Sequence, residues 1–151
     1  RIYYLGMPAR HWWNYHKDGD VPEGESPREG FGLATLRLDG FVSVEAGERE
    51  GTLTTKPLAF IADALEINAD ANGGEIRVEA LDLHGNVIEG FSRDDCEPIR
   101  SDSVRHLLKW NGSDDISLLQ AWPLRLKFYI HNAKLFSFRP RILHKHYKPY
   151  E

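Results

Sequence analysis

The chain holds one cysteine, Cys96, in 151 residues, so no disulfide can close within it. That leaves both oxidising and reducing compartments open. No stretch approaches the ~20 apolar residues that a membrane-spanning helix needs, and no signal-peptide pattern is visible. Basic residues are in deficit: 19 Lys and Arg stand against 23 Asp and Glu, for a net charge of −4. A nucleic-acid binder ordinarily shows the opposite balance. The familiar catalytic signatures are missing too, with no G-x-S-x-G, no P-loop, no G-x-G-x-x-G and no H-E-x-x-H. Gly30 and Gly32 lack a third glycine and precede a strand rather than a helix. Helical periodicity is scarce, and DDISLLQAW (114–122) suggests one or two turns at most.

What fills the chain instead is alternation of apolar and polar residues. LATLRL (33–38) faces FVSVEA (41–46) across Asp39-Gly40, a two-residue turn suited to a tight hairpin. GTLTTKPLAFI (51–61) follows, with Pro57 marking a bend or an edge. ALEINA (64–69) and GEIRVEALD (74–82) flank the turn-rich DANG, and HGN leads into VIEGF (87–91). VRHLLKW (104–110), PLRLKFYIH (123–131) and KLFSFR (134–139) complete the set, the last two close enough for a hairpin at Asn132-Ala133. With the opening RIYYL this makes about ten strands and almost no helix. The pattern predicts an all-β fold, a two-sheet antiparallel β-sandwich of jelly-roll type. A chain of this length buries enough surface to need neither metal nor disulfide for stability. Three zones are expected: a strand and aromatic loop over 1–30, the sandwich over 31–139, and a basic, aromatic tail over 140–151. Phe128, Ile130, Phe136 and Phe138 read as core.

Several clusters invite a chemical reading. Asn68, Asp70, Asn72 and Glu79 fall at ligand positions of a calcium loop. Glu75 stands where an apolar residue is usual and both flanks read as strands, so an Asx-rich hairpin loop explains the same letters, with Glu79 alternating outward. Calcium is thus a weak candidate, and no other cofactor is implied. Asp94, Asp95, Glu97 and Asp102 crowd one loop and could supply a glycosidase pair. Arg93, Arg100 and Arg105 nearby favour a structural ion-pair network. Those same acids are expected to raise the Cys96 thiol pKa, which is wrong for a nucleophile. No catalytic residue is assigned. His11 and His16, and separately His144 and His146, form pairs without a third metal ligand. Asn111-Gly112-Ser113 is an N-glycosylation triplet, meaningful only in a eukaryotic secretory pathway. The aromatic residues carry the remaining signal, because sugar rings stack on flat, apolar, polar-rimmed faces. Trp12, Trp13 and Tyr15 in the first loop and Trp110 and Trp122 at strand ends are the candidates. The competing reading makes the latter two core or rim plugs, and the former a contact with a neighbouring domain.

The ordered series LRLDGFVSVEAG, GTLTTKPL, INADANGGEIRVEALDLHGNVIEGF, DDCEPIRSDSVRHLLKW and LRLKFYIHNAKLFSF covers about residues 31–139. It resembles the C-terminal β-sandwich of bacterial proteins related to the five-bladed propeller glycoside hydrolases of families 32 and 43. RIYYLGMPARH is similar to the last propeller strand of such proteins. The resemblance implies a non-catalytic accessory sandwich beside a carbohydrate-active domain, with catalytic acids upstream of this chain. It implies a secreted or periplasmic setting and an adjacent catalytic domain as partner, but no defined ligand; the aromatic candidates make a polysaccharide or oligosaccharide the expected partner class. No binding-residue motif carries over. Two other readings stand beside it: a structural or protein-interaction sandwich, and a small jelly-roll polysaccharide-degrading enzyme.

Overall fold

The computed structural model describes residues 1–6 and 30–143. They belong to two compact units, Arg1–Arg37 and Leu38–Glu151. In the first unit, β1 (Ile2–Gly6) pairs antiparallel with β2 (Gly30–Ala34), Ile2 opposite Ala34 and Gly6 opposite Gly30. Tyr4 stands opposite Gly32, and a Cβ at Gly32 would meet the Tyr4 ring at 2.3 Å. Glycine there makes room for the tyrosine.

The second unit is an antiparallel β-sandwich. One sheet has the order β3-β9-β5-β7, built from β3 (Val44–Ala46), β9 (Ala133–Arg141), β5 (Ala64–Asp70) and β7 (Asp102–Leu107). The other has the order β4-β8-β6, built from β4 (Gly51–Thr54), β8 (Arg125–His131) and β6 (Glu75–Leu81). A single 3₁₀ turn, Ser117–Ala121, occupies the stretch expected to be helix-like. Nine strands and one such turn among the described residues make the fold all-β.

Alternation explains the core. Ile76, Val78 and Ala80 of β6 stand opposite Ile130, Phe128 and Leu126 of β8, and all six are buried. They pack with Leu65, Ile67 and Ala69 of β5 and Leu135 of β9 in one cluster. Phe128 meets Phe138 across the sheets at 5.4 Å. Beside β5 the pairing slips: Asn68 faces Ser137, but Ala69 faces Leu135. The extra residue on β9 is Phe136. The bulge switches which parity of β9 faces inward, so Phe138 and Leu135 join the core cluster and Phe136 does not. The expectation that Phe136 is core is corrected by that bulge.

The turn residues lie in turns, but they connect other elements than their spacing suggests. Asp39 does adopt the left-handed region, at φ 50°. Yet 35–43 lies outside the strands, because the start of LATLRL pairs with β1, so Asp39-Gly40 closes no hairpin. β8 and β9 form no hairpin either; the chain crosses from one sheet to the other at Asn132, φ 43°. β5 and β6 likewise belong to opposite sheets, so DANG is a corner between them. VIEGF runs along the edge of β6: the Ile88 N–H donates to the Ala80 carbonyl and the Ala80 N–H to the Phe91 carbonyl, both at 2.9 Å. Ile99 pairs with Ile76 further along. Coverage of this kind blunts an exposed strand edge.

Candidate functional site

Three places bring chemistry-bearing side chains together. The first is a cleft of about 390 Å³ where β3, the β5–β6 corner and the β8–β9 corner converge. Glu45, Asp70, Asn72, Asn132 and Lys134 supply its polar groups, and Ala46, Gly47 and Gly73 keep it open. Lys134 Nζ lies 3.3 Å from Glu45 Oε2. Asp70 Oδ1 accepts the Asn72 N–H at 3.2 Å, an Asx turn that sets the corner. The Asn132 N–H donates to the Gly47 carbonyl at 3.0 Å, tying the third wall to the first.

The second is the outer face of the three-stranded sheet. Glu79 is only 6% exposed, although it points away from the core. Its Oε1 accepts the Tyr129 hydroxyl at 2.6 Å and lies 3.3 Å from Lys127 Nζ. Arg93 and Lys127 both sit over the Tyr129 ring, at 4.4 and 4.6 Å. The Tyr129 pKa is raised, first by burial and then by the Glu79 hydrogen bond. That of Lys127 is raised first by its hydrogen bond to Tyr129. Arg93 also makes a two-point pair with Glu50, at 3.0 and 2.6 Å. Glu75 bridges Arg77 and Arg100 at 3.2 and 2.7 Å. Burial pushes its carboxyl up, but hydrogen bonds from Arg100 and Arg77 outweigh that and hold it below the usual range. The network is a saturated set of charge pairs.

The third is the rim beside the 3₁₀ turn. Trp122 is 80% exposed on extended backbone directly after the turn, and Leu118 within the turn is 82% exposed. Gln120 Nε2 donates to the Ala62 carbonyl at 2.6 Å, which holds the turn against the segment that carries Ile61, itself 74% exposed.

The residues singled out from sequence separate accordingly. Trp12, Trp13 and Tyr15 lie outside the described residues, as do His11, His16, His144 and His146. Trp110 is 3% exposed. Its Nε1–H donates to the Val78 carbonyl at 3.0 Å, and Phe91 packs on it edge-on. A ring so enclosed has no face for a sugar, which corrects its place among the binding candidates. Trp122 does present its ring to solvent.

The calcium-loop letters do not converge. Asn68 Nδ2 donates to the Leu38 carbonyl at 2.5 Å, whereas Glu79 sits in the other sheet with Tyr129 and Lys127. Only Asp70 and Asn72 share a site. Glu79 is buried because long side chains of β8 cover it. Among the described residues no group of three or more His, Cys, Asp or Glu side chains is arranged to hold a metal.

The acidic loop is structural where its contacts are defined. Asp95 Oδ2 accepts the Ser92 hydroxyl at 2.7 Å and the Ser92 N–H at 3.1 Å, and these bonds lower its pKa. Of the nearby arginines, Arg93 pairs with Glu50 and Arg100 with Glu75. Cys96 is buried beneath that loop, and its thiol is pushed up to about 11, chiefly by burial and only last by Glu97. Glu45, Asn132 and Lys134 are site residues that carried no sequence signal, since only the sheet crossing brings them to Asp70.

No family model, no curated protein and no solved structure matches this chain.

Proposed function

We propose that this chain is a non-catalytic accessory β-sandwich of a carbohydrate-active protein, and that it engages oligosaccharide through the rim at Trp122. The observation that carries this reading is the exposure of that indole, four-fifths open on a short turn anchored to the sandwich. A flat apolar ring of this kind suits the face of a sugar. The non-catalytic part is supported by Glu50, Glu75, Glu79 and Asp95, which are held by arginine, tyrosine or serine. By the resemblance, the partner is an adjacent catalytic domain and the setting is secreted or periplasmic.

The test is intrinsic tryptophan fluorescence during titration with fructan, arabinan, xylan and galactan oligosaccharides. A saturable shift is expected, and Trp122→Ala is expected to weaken binding at least about tenfold with the thermal midpoint unchanged. A flat response, or a shift that survives Trp122→Ala, sinks the aromatic-rim reading. One observation favours a second reading. Leu118 and Ile61 extend the rim with aliphatic side chains, which suits a protein partner that would be seen by sedimentation as self-association or as binding to a catalytic domain.

A further inference from the structure

The cleft at the sheet crossings has a composition that selects its ligand. Glu45 and Asp70 offer acceptors, Lys134 offers donors, and the Asn72 and Asn132 amides offer both. Two carboxylates disfavour an anion. The Lys134 ammonium, paired with Glu45 at 3.3 Å, cancels one of these charges, and among the described residues no group of three or more His, Cys, Asp or Glu side chains is arranged to hold a metal. What remains matched is a neutral molecule that both donates and accepts hydrogen bonds along its whole surface. The volume, about 390 Å³, lies within the usual range for small-molecule sites.

The walls are also fixed before any ligand arrives. The Asn132 N–H binds the Gly47 carbonyl at 3.0 Å, and the Gly74 N–H binds the Ala71 carbonyl at 3.2 Å. A Cβ on Gly73 would stand 3.2 Å from the Asn132 carbonyl oxygen, so the two corners lie nearly in contact. Of the described residues, only the Asn72 N–H bonds the Asp70 carboxylate, so most of that carboxylate's acceptor capacity is open to a ligand. A site whose walls are already ordered loses less on binding.

We propose that this cleft is a second binding site, for a neutral polyhydroxylated ligand of monosaccharide or disaccharide size. It shares its ligand class with the reading above but none of its residues, so the two can fail separately. The test is a ¹⁵N-correlation titration of the full chain with glucose, galactose, arabinose, xylose and fructose, with their disaccharides, with fructan, arabinan, xylan and galactan oligosaccharides, and in a separate arm with calcium chloride. Saturable shifts are expected at the Gly47, Gly73 and Asn132 amides. Asn72→Ala and Lys134→Ala, both exposed positions, are expected to weaken them at least about fivefold while the rest of the spectrum stays folded. If the cleft amides respond and the Trp122 indole does not, this site stands and the aromatic rim falls. If only the Trp122 indole responds, the rim stands and the cleft proposal is overturned. Cleft shifts caused by calcium alone overturn it as well, and silence at both places overturns both.

Discussion

The Cys96 thiol is held near 11, first by its burial; the Val78 N–H, which donates to Sγ at 3.3 Å, and the Arg77 charge only partly offset this. Its ordinary value is 9.0, so folding raises the pKa of an acid that is neutral when protonated. Below pH 9 folded and unfolded chains both hold the proton, and stability does not change on this account. Between about 9 and about 11 the unfolded chain loses its proton first, so stability falls as pH rises. Tyr129 and Lys127 are raised too and add a slope of the same sign. The expected outcome is a urea midpoint that declines across this window, and less steeply in Cys96→Ala. Equal slopes in the two proteins would show that the thiol contributes nothing. The acidic neighbours of Cys96 point to a raised thiol, but the leading cause, burial, is a tertiary fact. The same holds for the tryptophans. Trp110 closes one strand-like run and Trp122 precedes another, and nothing in their neighbours tells a ring bonded to the Val78 carbonyl from one left in solvent.

At the level of elements, strand positions were legible because burial on one face writes a period of two into the sequence. EIRVEAL became β6 and RLKFYIH became β8, with the inward residues at the expected parity. Turn chemistry was legible as conformation but not as connection. Asp39 and Asn132 both take positive φ, yet neither joins a hairpin, because strand partners are chosen by long-range pairing. That choice also decides the cleft. Asp70 and Asn72 stand out by their local spacing, whereas Glu45, Asn132 and Lys134 come from distant segments. Gly74 is where the two corners press hardest: a Cβ there would fall 1.9 Å from the His131 carbonyl oxygen. Main chain cannot yield as a flexible side chain does. Gly74→Ala is therefore expected to cost about 3 kcal/mol, at the upper end for overpacking, measured by urea unfolding. Gly85→Ala is less informative because its φ of 89° is itself strained. Gly47→Ala, with open space at its Cβ, is the right control and is expected to be nearly silent. A Gly74→Ala midpoint equal to that of the control would show that the corners are loosely packed.

For the whole molecule, the question is which residues make the fold cooperative. Every member of the core cluster, and every partly buried side chain packed on it, lies between Ala46 and Phe138. The β1–β2 hairpin exposes all but one of its residues, and a lone two-stranded hairpin is at best marginally stable in water. The sandwich therefore holds its own stabilising contacts within the unit Leu38–Glu151. Leu38 is the natural boundary, because its carbonyl accepts a hydrogen bond from the buried Asn68 amide at 2.5 Å. A chain of residues 38–151 is expected to unfold in one cooperative step, with stability within about 0.5 kcal/mol of the full chain, the range of changes that touch no core feature. A chain beginning at residue 41 loses this hydrogen bond and is expected to fall about 1 kcal/mol below it. Urea unfolding followed by Trp110 fluorescence reads both, since that indole is sealed in the core. If the 38–151 chain were as weak as the shorter one, residues 1–37 would have to supply stabilising contacts of their own. The sandwich could not then be treated as a self-sufficient binding module, and sugar titrations would have to be confined to the full chain.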